Sequence, residues 1–186
     1  MLINILIRTM GRDSLKNTID SIKIQDYQFP LRVIILSDAG KPEIDIPHEL
    51  IEVERGEGPY FYNGYCNLLK SKVESGVFFF LDDDDTLCPG ALDMILITST
   101  GCDIVQFNRG GWLKPSKDEI EAKQIINGRI GMPCLILDAK YKDIADIPCT
   151  EDGDFLWICD VVRQIPHKFH NYSVVYSERR RFGNLN

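Results

Sequence analysis

The sequence is short of positive charge. Its 21 lysines and arginines face 28 aspartates and glutamates, for a net charge of −7. A nucleic-acid surface needs a basic stripe that displaces counterions, so no nucleic-acid partner is expected. A small phosphorylated ligand held by a metal and a few arginines stays open. Also absent is any apolar run near the roughly 20 residues that cross a bilayer. No basic stretch followed by an apolar one opens the chain, so neither a transmembrane segment nor a secretory signal is expected. The three histidines (His48, His167, His170) do not stand at metal spacing from cysteines, and the six cysteines form no C-x-x-C. Without a signal, a disulfide framework is not expected, and the thiols read as reduced and mostly buried in a cytoplasmic protein. Repeats, low-complexity segments and linkers are missing as well, so the 186 residues read as one domain, 1–186.

What is present is a rhythm. Leu2 to Arg8, Leu31 to Ser37, Glu49 to Glu54 and Val77 to Leu81 are short apolar runs. Between them lie helical patterns: Leu15, Ile19 and Ile22 after Asp13, and Tyr65, Leu68, Leu69 and Val73 after Asn63. Near-continuous apolar strands alternating with helices predict an α/β fold, with a parallel sheet covered on both faces. The second half is less regular. It predicts a helix after Pro89, strands at 102–108, 132–138 and 171–178, a polar helix opened by a Ser116/Glu119 capping box, and a helix opened by Thr150.

Four consecutive aspartates, Asp82 to Asp85, follow the fourth strand in "VFFFLDDDDTL". Ligands of open parallel sheets collect beyond the carboxyl ends of the strands. Alternation along an extended chain puts Asp82 and Asp84 on one side and Asp83 and Asp85 on the other. Two carboxylates on one side suit a hard divalent cation, Mg²⁺ or Mn²⁺. Two enzyme classes place aspartates there. One is the metal-dependent glycosyltransferases with their D-x-D. The other is the haloacid-dehalogenase-like phosphatases, whose D-x-D-x-T is met literally by Asp82, Asp84 and Thr86, with Asp82 as nucleophile.

The phosphatase reading leaves the first eighty residues unexplained. "NILIRTMGRDSLKNTIDSIKIQDY" resembles the opening of family 2 glycosyltransferases, with Ser21, Ile22, Gln25 and Tyr27 matching the end of the first helix. "VIILSDAG" resembles their second strand, and "NLLKSKVESGVFFFLDDDDTLCPGAL" their asparagine-bearing helix, strand, D-x-D and Pro-Gly-x-Leu. "TEDGDFLW" resembles their E-D motif at a helix start. The resemblance implies a GT-A fold, with a mostly parallel central sheet, a nucleotide-binding half (1–90) and a smaller mixed acceptor half (91–186). It implies an inverting transfer from a nucleotide-sugar donor to a sugar, lipid or protein hydroxyl. Asp82 and Asp84 would hold the metal on the diphosphate. Arg8, Thr9, Arg12, Asp38, Asn67, Asp82 and Asp83 would contact the nucleotide, and Asp152 would be the catalytic base. Glu151, Trp112 and the basic run Arg179, Arg180 and Arg181 are candidate diphosphate or acceptor contacts. Ser37 stands where the family has the first of two aspartates, and Cys66 where an arginine often precedes the asparagine. These departures keep a third reading, a non-catalytic nucleotide- or sugar-binding relic.

Overall fold

The computed structural model describes residues 1–177. Strand β1 (Ile3–Thr9) pairs in parallel with β2 (Leu31–Ser37) on one side and with β4 (Val77–Phe80) on the other. β3 (Glu49–Glu52) extends this block beside β2, also in parallel. The block then joins strands from the second half: β8 (Leu135–Asp138) runs antiparallel to both β4 and β6 (Cys102–Arg109). β9 (Lys168–Ser177) lies parallel to β6, and β5 (Asp85–Leu87) antiparallel to β9. β7 (Trp112–Lys114) forms a hairpin with β6. The hydrogen-bonded order is β3-β2-β1-β4-β8-β6-β9-β5.

The continuous apolar strands have a physical reason. Alternate side chains of each strand feed two cores. On one face Ile3, Ile5, Ile7, Val77 and Phe79 pack with α1 (Leu15–Lys23) and α3 (Ala91–Thr98). On the other, Leu6, Ile34, Leu36, Phe78 and Phe80 pack with α2 (Tyr62–Ser71) and α5 (Gly153–Gln164), where Trp157 is fully buried against Phe80. Full burial of each such side chain contributes about 1.5–3 kcal/mol.

The second half departs from its pattern in places. Residues 112–114 form β7, where no strand was expected, and 132–134 are a 3₁₀ turn ahead of β8. The capping box predicted at Ser116 and Glu119 is present and opens the short α4 (Lys117–Glu121). Asn63 lies inside α2 rather than capping it, and its Nδ2 donates to the carbonyls of Pro148 and Thr150 at 2.8 and 3.1 Å. That bond ties the approach to α5 onto the first half. Among the described residues no helix is long and apolar enough to cross a membrane. The six cysteines are all unpaired, and Cys66, Cys102 and Cys134 are buried.

Candidate active site

β1, β2 and β4 point their carboxyl ends at one crevice, and strand parity decides which side chains enter it from which face. Leu6 and Leu36 belong to the α2/α5 core, so two residues further on Arg8 and Asp38 lie on that same side. Asp82 follows Phe80 by the same step. Arg8 stacks over the Tyr62 ring, 4.2 Å from its centroid, and its Nη2 is 3.4 Å from Asp82 Oδ1. Its Nη1 is buried without a hydrogen-bond partner, as are both carboxylate oxygens of Asp38. The Asp38 N–H continues the ladder by donating to Thr9 O at 3.3 Å.

After Leu81 the chain stops being extended. The N–H of Asp85 donates to Asp82 O at 3.1 Å, closing a turn over the aspartate run. Asp83 is folded back into the protein, 3% exposed, and accepts from Thr9 Oγ1 (2.9 Å), Met10 N (3.3 Å) and Arg12 Nη1 (2.7 Å). Burial raises its pKa, against the pull of Thr9 and Arg12. Asp82, Asp84 and Asp85 meet on the other side, each offering a carboxylate oxygen within 4.8 Å of the others. Alternation was therefore right for Asp83 and wrong for Asp85. The correction comes from tertiary pairing. β5 is drawn onto β9, Thr18 Oγ1 donates to Asp85 O at 2.7 Å, and Ser21 Oγ accepts the Leu87 N–H at 2.9 Å. Asp85 is buried, which, with Asp82 and Asp84 nearby, pushes its pKa up to about 7. Arg12 Nη1 also reaches Asp84 Oδ2 at 3.4 Å.

The acidic start of α5 forms the opposite wall. Asp152 is the N-cap residue, exposed, and makes no side-chain cap bond. Asp154 is turned inward. It lines a cavity of about 150 Å³ with Arg8, Tyr62, Asp82 and Glu151. It also lines a second of about 240 Å³ with Asp82, Asp85, Arg109, Lys114 and Arg129. Burial is the main cause of its raised pKa, and Asp82 and Asp152 add to it. Gly153 makes this geometry reachable: a Cβ there would stand 2.1 Å from Pro148 O and 2.4 Å from Asn63 Nδ2. The sequence expectation named Asp152 as the residue facing the aspartate run. Of the acids at the start of α5, Asp154 lines both cavities with Asp82, while Glu151 lines only the smaller one.

Other expected residues fall outside this cluster. Asn67 donates Nδ2 to Ile147 O (3.0 Å) and accepts the Ile147 N–H (2.9 Å), so its amide braces the protein's own backbone. Trp112 is 61% exposed at the start of β7. Arg179, Arg180 and Arg181 lie outside the described residues. A larger groove of about 690 Å³, between α1 and residues 41–48, holds none of the aspartates 82–85.

No protein-family profile matches the sequence, and no curated protein does. Solved structures match along nearly the whole chain. A fragment, residues 1–349, of S. aureus TarS, a glycosyltransferase, superposes with a TM-score of 0.72 at 14% identity, covering 96% of this chain and 60% of that one. The chain has a GT-A-like glycosyltransferase fold. The same TarS fragment bound to UDP-GlcNAc gives 0.70 at 15% identity over 97% and 59% of the two chains. Bound to UDP it gives 0.71 at 15%, over 96% and 60%. The chain thus spans about 60% of the length of these TarS fragments. On this scaffold the aspartate run, which also reads as the phosphatase motif, follows the fourth strand. Thr86, the threonine of that motif, donates its hydroxyl to Tyr176 O at 3.3 Å.

Proposed function

We propose that the chain is an inverting glycosyltransferase that uses a UDP-type nucleotide-sugar donor and a divalent cation, working in a reducing, cytoplasmic compartment. The carrying observation is that Asp154 shares both cavities with Asp82, across the crevice where β1 and β4 end. UDP and UDP-GlcNAc bound to TarS, on the same fold, support a nucleotide donor.

Asp82, Asp84 and Asp85 are the residues that would hold Mg²⁺ or Mn²⁺. They fit: each of the three carboxylates brings an oxygen within 4.8 Å of the others, near the span of one cation's ligand shell, and the most buried of them keeps its proton to about neutral pH when no cation offsets the charge. When bound, the cation offsets the charge of the donor diphosphate and of the departing nucleotide. Arg8 presents a buried, unpartnered Nη1 beside Asp82, suited to a phosphate oxygen. Asp38, with both oxygens unpartnered, fits a donor group of the base or ribose. Thr9, Arg12 and Asp83 form the wall beneath the nucleotide and keep the β1 exit in place.

In the transfer, the acceptor oxygen attacks the anomeric carbon as the bond to the diphosphate breaks, and its proton passes to a carboxylate on the attacking face. Asp154 fits that role better than Asp152, because it lines the cavities and its pKa is raised toward the working range. Glu151, on the rim of the smaller cavity, is placed to meet the donor or the acceptor. The test is UDP binding by calorimetry with Mn²⁺ and with EDTA, followed by a product assay with UDP-sugars. Metal-dependent binding and sugar transfer are expected. Metal-independent binding would remove the metal from the reading, and binding without turnover over a broad acceptor panel would favour the relic.

A further inference from the structure

Arg8 lies between two groups that attract a guanidinium. The Tyr62 ring centroid is 4.2 Å from its Cζ, and Asp82 Oδ1 is 3.4 Å from its Nη2. An arginine free to close on a carboxylate reaches about 2.7–2.9 Å and commonly bonds through two parallel N–H groups. Here one nitrogen stands off at 3.4 Å, and Nη1 is buried without a hydrogen-bond partner. The pair is therefore held short of closure. The Cys66 thiol also neighbours Arg8 but does not compete for it, because burial pushes the thiol up to about 12 and keeps it neutral.

The ring beside Arg8 is itself fixed. Tyr62 is the first residue of α2, and the turn that delivers it is closed by the Asn63 N–H on Tyr60 O at 3.0 Å. Tyr60 has a φ of 62°, a left-handed conformation that a bulky residue rarely adopts. Such a residue persists only where its surroundings hold it. Aromatic edges do so here. Tyr60 and Phe61 each stand edge-on to Tyr62 with centroids 6.1 Å apart, and Phe61 stands edge-on to Tyr65 at 5.4 Å. The Tyr65 hydroxyl accepts the Gly56 N–H at 2.6 Å and donates to Glu54 O at 3.0 Å. The Tyr62 face attracts a guanidinium through its quadrupole, without a charge that would neutralise it.

We infer that Tyr62 is a positioning residue of the metal site: its ring holds the Arg8 guanidinium off Asp82, which leaves the Asp82 carboxylate open to a divalent cation. This role rests on the metal assignment proposed above. The test is calorimetry with Mn²⁺ alone, without nucleotide. Tyr62→Leu fills the space without a π face and should weaken Mn²⁺ binding about tenfold. Tyr62→Phe, which keeps the face, should restore it to within twofold. In an Arg8→Gln background, Tyr62→Leu should change Mn²⁺ affinity less than twofold, because the competitor is gone. A crystal structure of Tyr62→Leu should show Arg8 closed onto Asp82 at about 2.8 Å. Tyr62→Met, with a flexible chain of similar reach, replaces the Leu variant if that one does not fold. Unchanged Mn²⁺ affinity in Tyr62→Leu overturns the inference and leaves the metal site standing. So does a tenfold loss that persists in the Arg8→Gln background, which would make Tyr62 a support of the fold alone. An unmutated protein that binds no Mn²⁺ sinks the metal assignment, and the role of Tyr62 with it.

Discussion

The aspartate run at 82–85 and the acidic stretch at 151–154 meet across the same two cavities, yet the chain spends their carboxylates differently. In the first, a turn sends Asp83 inward to Thr9 and Arg12 and gathers Asp82, Asp84 and Asp85 on the open side. In the second, the opening of α5 leaves Asp152 exposed and turns Asp154 inward. Each stretch therefore separates a carboxylate that supports the fold or the solvent boundary from carboxylates that can do chemistry. The lesson is that position in a run of acids says little about role, and backbone geometry at the end of the strand or the start of the helix says most.

The comparison is open to breaking at several points. Asp84→Asn should have the largest effect, because it would damage both donor binding and chemistry: metal-dependent UDP affinity should fall and transfer should be lost. An unchanged response to EDTA would remove Asp84 from the metal set. Asp154→Asn should lower kcat by roughly 10²–10⁴ while UDP affinity stays within about twofold, as expected when only a proton acceptor is lost. If Asp152→Asn produces that loss and Asp154→Asn does not, the two acidic positions of α5 have been assigned the wrong way round.

Stability measurements sharpen the contrast inside the first run. Asp83→Ala removes a buried carboxylate with three hydrogen bonds and leaves Arg12 without its nearest partner, so it should cost about 2–3 kcal/mol in urea unfolding. Asp85 should show its effect in the pH dependence of stability. Its folded pKa of about 7 lies above the ordinary carboxylate value near 3.9, so between these values the folded state holds more protons than the unfolded one. Stability without metal should therefore fall as pH rises from about 4 to 7, with the loss complete above 7. Asp83 and Asp154, also shifted upward by burial, act with the same sign. Asp85→Asn in EDTA should raise Tm at pH 8 by a few degrees, and added Mn²⁺ should raise the unmutated protein more at pH 8 than at pH 5. A Tm in EDTA that climbs steadily from pH 5 to 8 would contradict this account. Smallest of all, Asp152→Ala should change stability by about 0.5 kcal/mol or less, since its side chain makes no cap bond.

Local pattern was enough for the parallel block. Apolar runs of period-two side chains feeding two cores determined β1, β2 and β4, and the end of β4 located the carboxylates. The capping box at Ser116 was legible for the same reason: its two bonds lie within four residues. Parity also placed Arg8, Asp38 and Asp82 on one side of the sheet. Three things were decided only by contacts distant in sequence. Asp85 joins Asp82 and Asp84 because β9, some 90 residues later, pairs with β5. Asn67 is spent on Ile147, 80 residues away, rather than left for a ligand. Asp154 reaches the cavity because Asn63 holds the loop at 148–150 and only a glycine fits between them at 153. A sequence records which groups can bond, but a carboxylate's free energy depends on what surrounds it, and those neighbours are chosen by the closed fold.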